Sequence, residues 1–270
     1  MKVKLTVLSL SLFVFSIGLY AQQDSIPSII TDRPTNSASP VLVPKGAFQV
    51  ETGFLYTSEV SDYFEVDQMD VLGTMLRYGV FDNFELRLAG SFSNVDFKDT
   101  EFGNDSTVNG FGNVSIGFKV HIVEEKGIRP DLAIVADMFV RHIGPDGLHP
   151  TFSYPVSKVA ASHTLSKKFS LTYNLGFAYN GEDADGFFIY SAVLGYAIVP
   201  KLSIFVEPYG NFDSNDFPNH YVDGGLAYVV RPNMQLDISG GLSIGDNINR
   251  NSESINKKFV SLGFSWRIPR

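Results

Sequence analysis

The sequence contains no cysteine. That removes disulfide frameworks, thiolate metal centres and cysteine nucleophiles together, and it fits an oxidising compartment in which thiols are avoided. Charge is also scarce: charged residues are 19% of the chain, below the usual quarter of a soluble domain. What charge there is leans acidic, with a formal net of −8. A basic face for phosphate is lacking, which argues against a nucleic-acid partner. Past residue 21 no apolar run approaches the ~20 residues of a membrane-spanning helix. No 3.6-residue apolar stripe of useful length occurs either. A Gly-rich phosphate loop is missing, since "GFGNVSIG" lacks the Lys-Ser/Thr ending. No cofactor is implied.

The chain opens MKVKLTVLSLSLFVFSIGLYAQQ. Lys2 and Lys4 form a positive start, Leu5 to Leu19 an apolar stretch, and Ala21 a small residue at which cleavage would follow. These features predict a secretory signal peptide over 1–21; the alternative is an uncleaved anchor, for which the stretch is short. With no cysteine behind it, a lipoprotein anchor is excluded. Residues 22–45 are polar and proline-containing without periodicity. They read as a periplasmic tail or as a plug, with Asp32 and Arg33 tucked into a barrel mouth.

From Gly46 onward one pattern repeats. In "GAFQVETGFLY" Phe48, Val50, Phe54 and Tyr56 share one face, and Gln49 and Glu51 the other. At the far end Val260, Leu262, Phe264, Trp266 and Ile268 alternate with Ser261, Gly263, Ser265 and Arg267. Such period-two runs predict strands near 46–57, 67–79, 84–94, 110–123, 130–141, 156–165, 169–180, 186–198, 202–211, 221–230, 234–244 and 257–268. The connections "VFDN", "SKK", "PK" and "RPN" are tight. "VDFKDTEFGNDSTVN", "HIGPDGLHPTFSYP", "FDSNDFPNH" and "GDNINRNSES" are long, and the two kinds alternate. An even number of strands of nine to eleven residues, with short turns at one end and long loops at the other, is the pattern of an outer-membrane β-barrel. The prediction is therefore an all-β, antiparallel transmembrane barrel of about 12 strands over 46–270, with both termini periplasmic. Its surroundings would be outer-membrane lipid and lipopolysaccharide. A secreted barrel with the apolar face as core is the alternative; it explains a Gly-, Ala- and Ser-rich polar face less well.

Alternation turns a set of charges inward: Glu51, Arg77, Glu85, Arg87, Lys119, Asp137 and Glu207, with Asp223, Asp237 and Arg267 as further candidates. Confined charges of both signs must be paired or hydrated. They read as structural salt bridges or as a selectivity lining. At about twelve strands the lumen falls between a filled eight-stranded barrel and an open sixteen-stranded channel, so a narrow, partly blocked pore is expected.

The segments "ITDRPTNSASPVLVPKGAFQVETGF", "LRYGVFDNFELRL", "GNVSIGFKV", "LSKKFSLTYNLGF" and "VEPYG" resemble a Bacteroidota-type group of the MetA-pathway phenol-degradation family, over nearly all of the mature chain. The resemblance implies an outer-membrane barrel transporter, with Arg77, Glu85, Arg87, Lys119 and Glu207 at lumenal positions. Many barrels of this class end on an aromatic residue read by the barrel assembly machinery. This chain ends Trp266-Arg267-Ile268-Pro269-Arg270, so Phe264 and Trp266 would serve instead.

Catalytic and metal signals are weak. His121, His142, His149, His163 and His220 show no metal spacing. Ser162 and His163 are strand neighbours and point to opposite faces. "EDADG" lacks the later glutamate of a calcium loop. The expected function is passage of small solutes, hydrophobic or aromatic compounds among them. The alternative is a non-transporting structural or surface-interaction barrel; no enzymatic activity is predicted.

Overall fold

The computed structural model describes residues 28–182, 185–212, 218–245, 247 and 254–268. The leader at 1–21, residues 22–27 and Asp183 of the acidic loop lie outside the described residues. Twelve strands follow in order: β1 (Phe48–Val60), β2 (Phe64–Phe81), β3 (Phe84–Asp99), β4 (Ser106–Val123), β5 (Asp131–Phe139), β6 (Tyr154–Thr164), β7 (Phe169–Tyr179), β8 (Gly186–Val199), β9 (Leu202–Phe212), β10 (Asn219–Arg231), β11 (Met234–Ile244) and β12 (Asn256–Ile268). Each pairs antiparallel with its neighbours in sequence. β1 closes on β12 from Phe48↔Ile268 to Val60↔Asn256, so the barrel has no free edge. No described helix is long and apolar enough to cross a membrane.

Burial is inverted relative to a soluble protein. Arg77, Glu85, Lys119 and Glu207 are wholly buried, while Leu175 on the outer wall is 66% exposed. Only a hydrocarbon solvent makes that distribution favourable, because the closed ladder pairs the wall backbone while apolar side chains face lipid. Aromatic residues sit at the two rims. Phe84 stacks on Phe118 and Phe169 packs at a tilt against Tyr196 at the short-turn end; Phe139 stacks on Tyr154 and Phe177 meets Phe188 edge to face at the other. These match the interfacial girdles of membrane barrels.

Two connections are shorter than expected. Residues 95–109 are mostly ladder, paired from Val95↔Val108 to Phe97↔Ser106, and the break between β1 and β2 is only 61–63. Above the lipid both faces of a strand are wet, so hydrophobic alternation fades while backbone pairing continues. Lys98 there pairs with Glu65 at 3.3 Å across β2–β3. The register shifts at Gly53/Leu55, Val71/Thr74 and Ala89/Ser91 interrupt three successive strand pairs. An odd shift exchanges the faces, which is why Asp70 is buried although Leu72, two residues on, is exposed. The 140–153 loop leans inward over β4: the Asn113 amide donates to the Leu148 carbonyl at 3.0 Å, and Leu148 is buried. A Cβ on Gly112 would strike the Leu148 backbone, so this approach needs glycine.

Residues 28–47 form no strand. The Ile29 amide donates to Pro232 O at 2.7 Å in the β10–β11 turn, and Lys45 bridges Gly79 at the β2 end. Between those two anchors the segment runs through the lumen.

Candidate functional site

A peptide without secondary structure needs partners for its amides once water is removed. Here the inward side chains of the wall supply them. Glu51 Oε2 accepts the amides of Asp32 and Arg33 at 3.0 and 3.1 Å. Glu207 accepts the amides of Asn36 and Ser37, each at 2.8 Å, and the Ser37 hydroxyl at 2.6 Å. Asn174 clasps residue 38 from both sides, accepting its amide at 2.7 Å and donating to its carbonyl at 3.0 Å. Glu85 accepts the Val43 amide at 2.8 Å. Donors complete the set. Gln49 reaches Ile30 O at 2.9 Å, Lys119 reaches Ser39 O at 2.8 Å and Arg77 reaches Val41 O at 3.0 Å.

Asp32 is the centre of the charge network. Strand register sets Arg77 directly opposite Arg87, and like charges so placed repel. The Asp32 carboxylate resolves the conflict: Oδ2 lies 2.7 Å from Arg87 Nη1, and Oδ1 lies 3.0 Å from Lys119 Nζ and 3.8 Å from Arg77. Arg77 also pairs with Glu51 and Glu85, both at 2.8 Å. Four carboxylates thus surround three cations, Asp32 coming from the segment and Glu51, Glu85 and Asp137 from the wall. Burial acts to raise the Asp32 carboxyl, but Arg77, Lys119 and Arg87 outweigh it and hold it well below the usual carboxylate range.

Arg33 makes a second anchor, donating to Asp237 at 3.2 Å and Ser261 at 2.7 Å. Its guanidinium lies over Gly263, where a Cβ would collide with Arg33 and Asp237 together. Asn36 Nδ2 donates to Asp223 at 3.0 Å. The segment therefore divides the lumen. On the outer side are connecting cavities of about 350, 260 and 500 Å³ that share Asn36 in their walls; on the periplasmic side is one of about 450 Å³. Arg33, Pro34, Thr35 and Ser37 line cavities on both sides, so the partition there is one chain thick.

The inward candidates Glu51, Arg77, Glu85, Arg87, Lys119 and Asp137 meet in this network, Asp137 through Arg87 at 3.3 Å. Glu207, Asp223 and Asp237 lie around Asn36 and Arg33; Arg267 is buried opposite Gln49. Sequence reading missed Lys158, Asn174 and Gln49 as contributors. Gln49 and Asn174 have inward parity, but an uncharged amide carries no mark in the sequence of a ligand for a peptide. On β6 Val156, Lys158 and Ala160 face the lumen while Ser157 and Val159 face out, so the polarity contrast there is mixed. His220 lies in β10 rather than in a loop, bonded to Tyr190 Oη at 2.7 Å. His163 stacks on Tyr173, and no group of three or more potential metal ligands exists among the described residues.

Residues 31–254 match the family described as MetA-pathway of phenol degradation. The chain belongs to that family. The match begins beside Asp32 and Arg33, so it takes in the lumenal segment as well as the wall. Among solved structures, an outer membrane channel from Pseudomonas putida F1 is similar at 10% identity and a TM-score of 0.67, over 87% of this chain and 100% of that one. The transport unit of the autotransporter AIDA-I from Escherichia coli follows at 12% identity and 0.53, covering 88% and 93%. The translocator domain of NalP from Neisseria meningitidis stands at 8% and 0.50, covering 82% and 88%. At such identities the likeness is one of fold. No curated protein matches the sequence. The closed twelve-stranded barrel of this family member, with its lipid-facing band, places it in the bacterial outer membrane.

Proposed function

We propose that the protein is an outer-membrane channel for small solutes, hydrophobic or aromatic compounds among them, with residues 28–47 as a plug that sets its bore. The observation that carries this reading is the partition one chain thick between cavities open toward opposite ends of the lumen. A barrel serving only as an anchor has no need of such space, and a small one is filled by its own side chains. The similar structure from Pseudomonas putida F1 is called a channel, and the family description names phenol degradation; both agree with the reading. The inward charges then have two roles. They hold the plug, and those beside the cavities bias which ions pass.

Planar-bilayer recording tests this. The mature protein is expected to conduct weakly, and a variant lacking residues 28–44 to conduct several-fold more. If both insert and neither conducts, the barrel is not a channel.

A further inference from the structure

Every lumenal cation of the plug network has a carboxylate partner, whereas Lys158 does not. Its Nζ has one contact, the Asn36 carbonyl at 3.4 Å, and no described carboxylate lies within 4 Å. Lys158 projects from β6 into the cavity of about 260 Å³ on the outer side of the segment. Asn36, Asn174, Ser191, Tyr209 and Tyr221 line the same space. Among the described residues Lys158 is its only charged lining residue. The nearby acids are engaged elsewhere: Asp137 pairs with Arg87, and Asp32 with Arg87 and Lys119. Asn36 covers both Glu207 and Asp223 with its amide and side chain, Ser37 adds two bonds to Glu207, and neither acid lines the cavity.

The ammonium is open to the cavity and held by one long hydrogen bond, so it has donors left for a ligand. The surrounding groups define that ligand. Tyr209 and Tyr221 stack with centroids 5.2 Å apart at 20°, forming a flat aromatic wall with hydroxyls. Asn174 and Ser191 add short polar groups at the base. The volume lies below the ordinary range for drug-sized ligands and suits a single ring. We infer that this cavity binds a small organic carboxylate with a flat, aromatic body, its carboxylate on Lys158 and its ring along the tyrosine pair. The site names the solute class for the proposed channel and so rests on that reading for its physiological meaning. Its occupancy is measurable without any conductance.

Isothermal titration of detergent-solubilised protein with sodium benzoate, and with benzamide as the neutral isostere, is the test. Saturable benzoate binding is expected, with benzamide roughly ten-fold weaker or worse, as loss of a charge-assisted contact implies. This comparison on the intact protein needs no variant. Lys158→Gln should lower benzoate affinity to the benzamide level, Lys158→Arg should restore it, and Lys201→Gln in the β8–β9 turn should leave it unchanged. Equal binding of the two compounds, no benzoate binding, or an unaltered Lys158→Gln overturns the site. Conductance without benzoate binding would remove the site and leave the channel. Benzoate binding to a barrel that conducts neither intact nor without residues 28–44 would keep the site and remove the channel.

Discussion

Asp32 shows how much depends on one side chain in this lumen. It is the carboxylate between Arg87, Lys119 and Arg77, and it also accepts the Ser39 amide at 2.9 Å, which folds the segment back on itself. Asp32→Asn removes the one carboxylate that bridges all three buried cations. Losing one member of such a network typically costs ~3–5 kcal/mol. The expected result is release of the segment without loss of the barrel, read as protease cleavage near residue 32 and as raised conductance. Acid should act on the same carboxylate only weakly. Because its protonation is held well below the usual range, its contribution is fully present above the ordinary carboxylate pKa of about 4. It is lost only as pH falls through the depressed folded value. Cleavage should therefore stay flat from neutral pH to about 4 and rise in stronger acid; a rise between pH 7 and 5 would place the latch elsewhere. Glu207→Ala tests the other anchor. It strands the Asn36 and Ser37 amides, at about 1–3 kcal/mol for each group left unpaired, while the Ser37 hydroxyl keeps Ser191 as partner. The same cleavage assay should show it.

Each strand presents two solvents at once, lipid on one face and a polar lumen on the other. β7 gives the cleanest comparison. Leu171 pairs with Leu194 on the lipid side, whereas Thr172 lines the periplasmic cavity. Leu171→Arg should cost on the order of 2–4 kcal/mol if near the bilayer midplane, seen as loss of heat-resistant folded migration on gels. Thr172→Arg should fold normally. Equal damage from the two would reverse the faces. The periplasmic strand ends and the faces were legible in the sequence because period-two hydrophobicity is local and the lipid enforces it. The upper parts of β1 to β4 were not, since above the bilayer no solvent contrast marks the faces. The shifts at Gly53/Leu55, Val71/Thr74 and Ala89/Ser91 were equally silent, because a bulge alters pairing without a fixed residue signature.

At the scale of the whole molecule, the wall and the lumenal segment are separable. The barrel closes through β1 and β12 and includes no residue before Phe48. A variant lacking residues 28–44 should therefore remain mostly β by circular dichroism and keep heat-modifiable migration, with a lower melting temperature. Its inward charges would be hydrated instead of bonded to peptide. Failure of this variant to assemble would make the segment part of the folding unit rather than an occupant of it.

The sequence by itself determined an exported antiparallel barrel of about twelve strands, the sidedness of its turns, and which charged residues point inward. Each of these follows from side-chain alternation or connection length over a few residues. It also singled out Asp32 and Arg33, but it left open whether they lie in a free tail or in the lumen. Only the tertiary structure decided their partners. Arg33 meets Asp237 across 204 positions, and Ser37 meets Glu207 across 170. Parity tells a residue which face it takes, but barrel closure, bulges and register set its height and its neighbours. For that reason a row of inward carboxylates that reads as a pore lining is, in the folded chain, largely a set of acceptors for the backbone and side chains of its own N-terminal segment.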